Sequence, residues 1–483
     1  MLSVEIDNSP AKISVSVNFA FWKDGKVVEW KKNKIAWIGA FLCKKRIFDA
    51  MTKSQFLIGA SSSGSGKTTL TIGLLRAFKN RGLQVQPFKC GPDYIDTKFH
   101  KLAAGKPSIN LDLFLSSQEH VKQLYSTYTS SCDVALTEGV MGLFDGYHKW
   151  QGSGAHIAGL LDIPIILVLT PKSMAYSVAP ILYGFKNFHK DVSIAGVIFN
   201  MVNSDSHYRF LQDACNDVGI PALGRLPQNN NLKIPSRHLG LSIDRNLLLD
   251  EFTEKAADFM EQHLPIDEIL EITTKNTITH SPVIQYKSFH GKPLISAVAS
   301  DEAFTFYYHE NIEYLKNRGT VTFFSPTHDK ELPDADFVYL PGGYPELYLD
   351  KLSENKSMQE SIRRYVEQGG RLLAECGGMM YLSSCIADKT GKEYPMAGIF
   401  KQKASMEGME LTLGYRQFTS NGICVKGHEF HYSSVSGDEE SILTQYNARG
   451  IPVDTKLLRY KNTIAGYTHI YWAEMDDLME LFN

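Results

Sequence analysis

The sequence is poor in cysteine and arranges the few it has without order. Seven cysteines are scattered over 483 residues, which is not a disulfide framework, and no C-x-x-C pair offers a zinc site. A reducing cytoplasm fits that pattern best. An excess of charge of one sign is also missing: a net charge of −3 leaves no electrostatic footprint for nucleic acid. Long apolar runs are absent. No stretch approaches the roughly 18 residues that span a bilayer. The nearest, Ala36 to Cys43, is short, has lysines on both sides and is followed by no cleavage pattern, so no membrane association is expected. No internal repeat or low-complexity tract is evident. What is present is 43% hydrophobic content, enough for full cores, in a chain long enough for two or three domains.

From Phe56 onward, short apolar runs alternate with helical periodicity. Strands are expected at Phe56–Gly59, Val85–Lys89, Val134–Thr137, Ile165–Leu169 and Ile194–Phe199. Alternation of this kind implies a parallel sheet with right-handed crossovers. A run such as Ile165-Ile166-Leu167-Val168-Leu169 suits a strand buried on both faces. The polar stretch 273–293 reads as a linker between an ATP-binding domain over 51–272 and a second domain over 294–483. There the pattern restarts with a strand at Leu294–Ala299, a helix near Phe304–Asn317, and strands at Val321–Phe324, Phe337–Leu340 and Arg371–Ala374. Both domains are therefore α/β. Residues 1–50 differ from the rest. They hold Trp22, Trp30 and Trp37, several lysines and one expected strand over Lys12–Ala20, and read as an appended leader or as a small β-hairpin. No chemistry is assigned to them.

The stretch Phe56–Leu75 organises the first half. An apolar strand runs into a loop of small residues, Gly59 to Ser65, then Gly66-Lys67-Thr68-Thr69 and a helical pattern. Polyphosphate needs that order, because small residues let backbone N–H groups wrap the oxygens and the helix start adds positive potential. Gly64, Gly66, Lys67, Thr68 and Thr69 are the nucleotide-binding candidates. Lys67 can reach the terminal phosphates and the Thr68 hydroxyl can ligate Mg²⁺. One departure stands out: the first Gly of the G-x-x-x-x-G-K-T spacing is Ser61. Two further stretches follow strands and should meet this loop, since ligands collect at the carboxyl ends of parallel strands. Phe88-Lys89-Cys90-Gly91-Pro92-Asp93-Tyr94-Ile95-Asp96 offers two carboxylates. Thr137-Glu138-Gly139-Val140-Met141-Gly142-Leu143-Phe144-Asp145-Gly146 offers Glu138 at a strand end and Asp145 in a glycine-rich loop. Hard oxygen ligands of this kind fit Mg²⁺ beside phosphate. The same aspartates would serve equally as turn formers or caps. Asn200, at another strand end, would face the adenine or form a turn.

The second half carries a different constellation. Leu372-Leu373-Ala374-Glu375-Cys376-Gly377-Gly378-Met379-Met380 reads as strand, tight turn, helix, with Cys376 at the turn. A helix N-terminus favours thiolate, the nucleophilic form. Gly377 can direct its N–H at an oxyanion, and Gly343 in Leu340-Pro341-Gly342-Gly343-Tyr344-Pro345-Glu346 can supply a second donor. His469 is the candidate base. His428 and His431, in Gly427-His428-Glu429-Phe430-His431-Tyr432, compete with it.

Phe88–Asp96, Thr137–Gly146, Arg237-His238-Leu239-Gly240-Leu241, Pro341–Glu346, Ala374–Met380 and Gly427–Ser433 together resemble the cobyrinate a,c-diamide synthase family. The likeness covers residue 55 to the C-terminus and leaves out residues 1–50. It implies a dethiobiotin-synthetase-like P-loop domain joined to a class I glutamine amidotransferase domain. It also implies amidation of the c and then the a acetate of a corrinoid tetrapyrrole, with ATP, L-glutamine and Mg²⁺ consumed or required. Matched residue by residue, Cys376 is the glutaminase nucleophile and His469 its partner, and Asp93, Asp96, Glu138 and Asp145 fall in the family's ATP, metal and substrate-carboxylate motifs. Thr68, Glu138 and Asp96 are expected at the metal, and Asp93 and Asp145 at substrate or phosphate. The class I pattern His-x-Glu is broken here, because Tyr471 follows His469 at that spacing. The residue that orients His469 is then absent or comes from elsewhere. The same chemistry on hydrogenobyrinate or nickel sirohydrochlorin is an alternative. Other classes are a P-loop regulatory or partitioning ATPase and a stand-alone glutaminase. A homodimer is compatible with the sequence.

Overall fold

A computed structural model describes residues 2–9, 12–23, 26–30, 52–232, 243–276 and 292–483. The stretch Arg237–Leu241 and most of the expected linker lie outside the described residues. Gln55–Thr273 and Thr279–Asn483 belong to one unit, and Met1–Ser54 with Thr274–Ile278 to another. In the smaller unit, Leu2–Ser9, Lys12–Lys23 and Lys26–Trp30 form an antiparallel three-stranded sheet, one strand more than a hairpin. Thr274–Asn276, expected as linker, pairs antiparallel with Thr52–Ser54.

The nucleotide lobe is built on a sheet of spatial order Ala222–Leu226, Ile194–Asn200, Ile165–Leu169, Thr52–Ala60, Val134–Glu138, Val85–Cys90, Ile109–Leu111. The recorded pairs along this path run parallel. Alternate residues of each strand enter opposite cores. Ile165, Leu167 and Leu169 pack on one face, and Ile166 and Val168 on the other. That is the two-sided burial which the unbroken apolar run required. The strand order reverses between Ile165–Leu169 and Val134–Glu138, around the strand that feeds the phosphate loop. A crevice for ligand opens at such a point.

The second lobe has its own sheet, ordered Gly319–Phe324, Leu294–Ala299, Phe337–Leu340, Arg371–Glu375, Thr463–Gly466, Leu457–Tyr460. It is parallel except for the last hairpin. A long hairpin, Thr412–Ser420 with Ile423–His431, is joined by His469–Ile470, which sets His428 opposite His469. The expected helix near Phe304–Asn317 is shorter than the pattern suggested. Helix His309–Arg318 is preceded by strand Phe304–Phe306, which pairs with Gly342–Gly343. Aromatic and β-branched residues suit that pairing better than a helix turn. Among the described residues no helix is long and apolar enough to cross a membrane.

The Cys376 turn is packed so closely that side chains are excluded. A Cβ on Gly378 would lie 2.1 Å from the Leu340 carbonyl oxygen, which belongs to the neighbouring strand and cannot swing away. We expect Gly378→Ala to lower the thermal midpoint by on the order of 5 °C or more. An unchanged midpoint in a circular-dichroism melt would contradict this packing.

Candidate active site

The phosphate loop is assembled by left-handed glycines. Gly64 has φ 77° and Gly66, capping helix Lys67–Asn80, has φ 92°. Ser61 is not among the positive-φ residues, so the displaced first glycine costs nothing at that position. Gly66 is fixed a second time: a Cβ there would sit 2.3 Å from the Asn200 side-chain nitrogen. That nitrogen donates to the Ser65 carbonyl at 2.9 Å. Asn200 thus holds the loop's backbone, and its Oδ1 accepts from Met201 N at 3.0 Å, the turn-forming bond that was the alternative to facing a base. Lys67 Nζ donates to the carbonyls of Met141 at 2.5 Å and Ser62 at 3.3 Å. The 137–146 stretch therefore crosses the phosphate loop as expected. Burial lowers the Lys67 pKa, against the pull of Glu138. Thr69 is half-buried in the first turn of the same helix.

Beside the loop lies a buried cluster of charge. The Thr68 hydroxyl donates to Glu138 at 2.7 Å and lies 3.3 Å from Asp96. Lys89 Nζ reaches Asp96 at 2.7 Å, Glu138 at 3.0 Å and Asp93 at 3.9 Å. His100 Nε2 meets Glu138 at 2.6 Å, and its Nδ1 meets Ser108 at 3.1 Å. Burial raises the Glu138 carboxyl, but Lys89 and His100 outweigh it and hold the group well below the usual range. Burial likewise opposes the Lys89 charge, and the carboxylates overcome it and raise the pKa. For Asp96, burial and Asp93 outweigh Lys89 and push the pKa up to about 6. One hydroxyl and two carboxylates thus converge as the sequence proposed. The donors are hard oxygens, and a magnesium ion completed by phosphate oxygens and water fits them. Among the described residues no group of three His, Cys, Asp or Glu could hold a metal. Asp93 and Asp145 are more local in their contacts. Asp93 Oδ1 accepts from the amides of Ile95 and Asp96, both at 2.8 Å, and Asp145 accepts from Gly142 N at 2.9 Å. Sequence reasoning missed the roles of Lys89 and His100. Asp96 and His100, four apart on helix Asp96–Ala104, share a face, and that spacing was the available signal.

In the second lobe Cys376 stands at a strained turn between strand Arg371–Glu375 and helix Gly377–Leu382, with φ 47° and ψ −106°. Such strain at a strand–helix junction exposes a nucleophile. A Cβ on Gly377 would lie 3.0 Å from Gly343 N, so the two proposed oxyanion donors are neighbours. The thiol departs from expectation. Burial, followed by Glu346, raises its pKa, and the Gly377 amide opposes this too weakly. A six-residue helix cannot offset that desolvation.

His469 is wholly buried, and burial with His428 and His431 nearby lowers its pKa to about 3. Among the described residues neither ring nitrogen meets hydrogen-bond geometry, although the Phe306 backbone lies close enough to favour the charged imidazole slightly. The nearest carboxylate, Glu375 Oε2, is 3.8 Å from Nδ1. Glu375 accepts from Tyr339 at 2.6 Å and Ile470 N at 2.9 Å, and burial pushes its pKa up to about 8. Sequence reasoning overlooked it, although a charged residue closing an apolar strand beside the nucleophile was visible. His431 is bonded at both nitrogens, to Glu429 at 2.8 Å and the Ser433 carbonyl at 2.7 Å, and lines a small cavity with Cys376. Among the described residues no hydrogen bond links Cys376 to a histidine; its sulfur faces the Phe430 carbonyl at 4.0 Å. Tyr471, where a triad carboxylate was missed, bonds His120 of the nucleotide lobe at 2.8 Å.

The two centres are joined. Tyr94, between Asp93 and Asp96 in sequence, stacks on Phe306 at a centroid distance of 5.6 Å and meets His469 at 4.9 Å and Tyr308 at 4.8 Å with tilted rings. A cavity of about 1020 Å³ opens alongside, lined by Tyr94, Ile95, Lys98, Phe306, Tyr307 and Tyr344 among others.

Residues 56–241 match a CobQ/CobB/MinD/ParA nucleotide-binding domain, and residues 296–476 a CobB/CobQ-like glutamine amidotransferase domain. Three curated relatives are similar over most of the chain. A cobyrinate a,c-diamide synthase of Clostridium acetobutylicum is 41% identical, over 88% of this chain and 99% of that protein. One from Listeria monocytogenes is 38% identical, over 87% of this chain and 97% of that protein. A hydrogenobyrinate a,c-diamide synthase of Brucella anthropi is 38% identical, over 86% and 98%.

The raised thiol pKa has a measurable consequence. Less thiolate exists at neutral pH, so Cys376 should alkylate slowly with iodoacetamide and faster as pH rises, without a plateau below about pH 9. Exposed Cys424 is the internal control. Peptide mapping by mass spectrometry that finds Cys376 labelled faster than Cys424 at pH 7 would refute this.

Proposed function

The chain belongs to the cobyrinate a,c-diamide synthase family, and from that premise we propose the substrate and the residues that act on it. Membership makes the protein a glutamine-hydrolysing ligase that spends ATP on amidation in cobalamin biosynthesis. Its substrate in this reading is cobyrinate, converted at the c and a acetates. Hydrogenobyrinate is the second reading, favoured by the name of the Brucella relative.

The observation that carries the reading is the contact between the centres: Tyr94 touches His469 while its neighbours Asp93 and Asp96 belong to the charge cluster. The adjoining cavity, walled by aromatic rings and bordered by Lys98, Lys101 and Lys316, suits a flat macrocycle with carboxylate arms.

A carboxylate is a poor acyl donor to nitrogen, and phosphorylation gives it a leaving group. The amides of the 61–66 loop and Lys67 bind the phosphates and stabilise charge on the transferring group. Lys89 keeps Glu138 and Asp96 ionised and close together before nucleotide arrives. Mg²⁺, held by Thr68, Glu138 and Asp96, would add charge neutralisation at the phosphates. Cys376 attacks the glutamine amide, and the amides of Gly343 and Gly377 receive the oxyanion. His469 takes the thiol proton, with Glu375 as the nearest carboxylate to compensate the imidazolium. Ammonia is released beside Tyr94, away from bulk protons. The reducing cytoplasm as place of action is supported by the free cysteines among the described residues.

Cys376→Ala should lose glutamine-dependent amidation and keep amidation with high ammonium salt, while Lys67→Ala should lose both. Mass measurement after incubation with cobyrinate, ATP and either nitrogen source reads this as acid-to-amide exchanges. Glutamine use by Cys376→Ala would sink the assignment. A second pair separates the histidines. His469→Gln should cost glutaminase about 100-fold or more, and His431→Gln less than about tenfold. The reverse order, in a glutamate-release assay, would transfer the base role to His431, which shares the Cys376 cavity.

A further inference from the structure

Glu346 has no role in the chemistry above, yet it lines the same small cavity as Cys376, with Met380, Phe430, His431 and Ser433. It follows the Gly342-Gly343 loop on the turn Pro345–Leu347, whose Pro345 packs against Gly377. Among the described residues its carboxylate has no ion pair and no side-chain hydrogen bond. The other titratable base in the cavity, His431, is already engaged by Glu429 and Ser433. The remaining walls are aromatic, thioether or hydroxyl. Glu346 is partly exposed at the mouth of this cavity, and a carboxylate placed there without a counter-ion is open to a cationic group.

We infer that Glu346 anchors the α-ammonium group of L-glutamine while the side-chain amide lies against Cys376. The inference rests on Cys376 being the glutaminase nucleophile. Glutamine carries its ammonium one short side chain away from the amide carbonyl, so one end can meet each residue. The anchor also accounts for the unfavourable thiol. After burial, Glu346 is the foremost influence holding the Cys376 proton on. Burial raises Glu346 itself to about 7, with only its own backbone and Lys389 opposing. An ammonium ion seated on Glu346 cancels that opposition, so the substrate both docks and favours thiolate. At about 20 Å³ the cavity holds one water; its walls must part for glutamine, and an empty site keeps the thiol protonated.

The test compares L-glutamine with glutaramate, which has the same side-chain amide and no α-ammonium, in the full-length enzyme. The wild type should favour glutamine by about 10- to 100-fold in kcat/KM. Glu346→Gln should lose that preference, through KM for glutamine above all, and hydrolyse glutaramate at least as fast as the wild type, since the charge that holds the Cys376 proton is gone. Ammonium-driven amidation by the variant reports that it is folded. Equal losses on both amides would show that Glu346 supports the turn or the thiol, and an undiminished preference for glutamine would show that the ammonium binds elsewhere; either overturns the anchor. Failure of the underlying reading looks different, since hydrolysis would then persist in Cys376→Ala.

Discussion

A seam of aromatic rings holds the two chemistries against each other. Tyr94, Phe114, Phe306, Tyr308, Tyr344 and Tyr471 are buried together, contributed by both lobes. Rings give this seam large contact area with few torsions to freeze, and tilted or edge-on pairs add to burial. Its position decides what the enzyme can do. The loop bearing Asp93 and Asp96 carries Tyr94, whose ring meets His469 at 4.9 Å, so the loop of one lobe touches the histidine of the other. Around the seam, polar bonds fix the register: Tyr415 donates to Asp112 at 2.8 Å, His120 meets Tyr471, and Ser117 bonds Glu474.

The nucleotide site solves an electrostatic problem before it meets any ligand. Two carboxylates and a third close by are gathered under a phosphate loop that must receive further negative charge. Lys89, almost fully buried, sits among them as an internal cation. Removing one partner from a buried ion pair typically costs about 3 to 5 kcal/mol, which makes Lys89 a structural requirement and not merely a bystander in its motif. The glutaminase site takes the opposite course. Cys376, His469 and Glu375 are desolvated, and their shifts favour neutral forms, while Glu429, paired with Arg416 and His431, stays ionised.

Much of this was legible in the sequence because it is encoded locally. Ile165–Leu169, Leu294–Ala299 and Phe337–Leu340 appear at the expected residues, since a strand buried on both faces has a compositional signature of its own. The Lys67–Thr68 and Cys376–Gly378 turns are likewise short-range patterns dictated by backbone geometry. What escaped reading was spatial. Nothing near Glu375 in sequence reveals that residue 469 lies beside it, nor does Tyr471 disclose a partner at His120. Phe304–Phe306 was absorbed into a helix because its partner, Gly342–Gly343, lies far along the chain.

The bond from Tyr471 to His120 carries an implication for how such a molecule is inherited. The position two residues past His469, where the class I pattern has a carboxylate, is committed here to the neighbouring lobe. The halves are therefore no longer interchangeable modules. A glutaminase lobe spliced in from another ligase would need counterparts of Tyr471, Tyr415 and Glu474 in register with His120, Asp112 and Ser117.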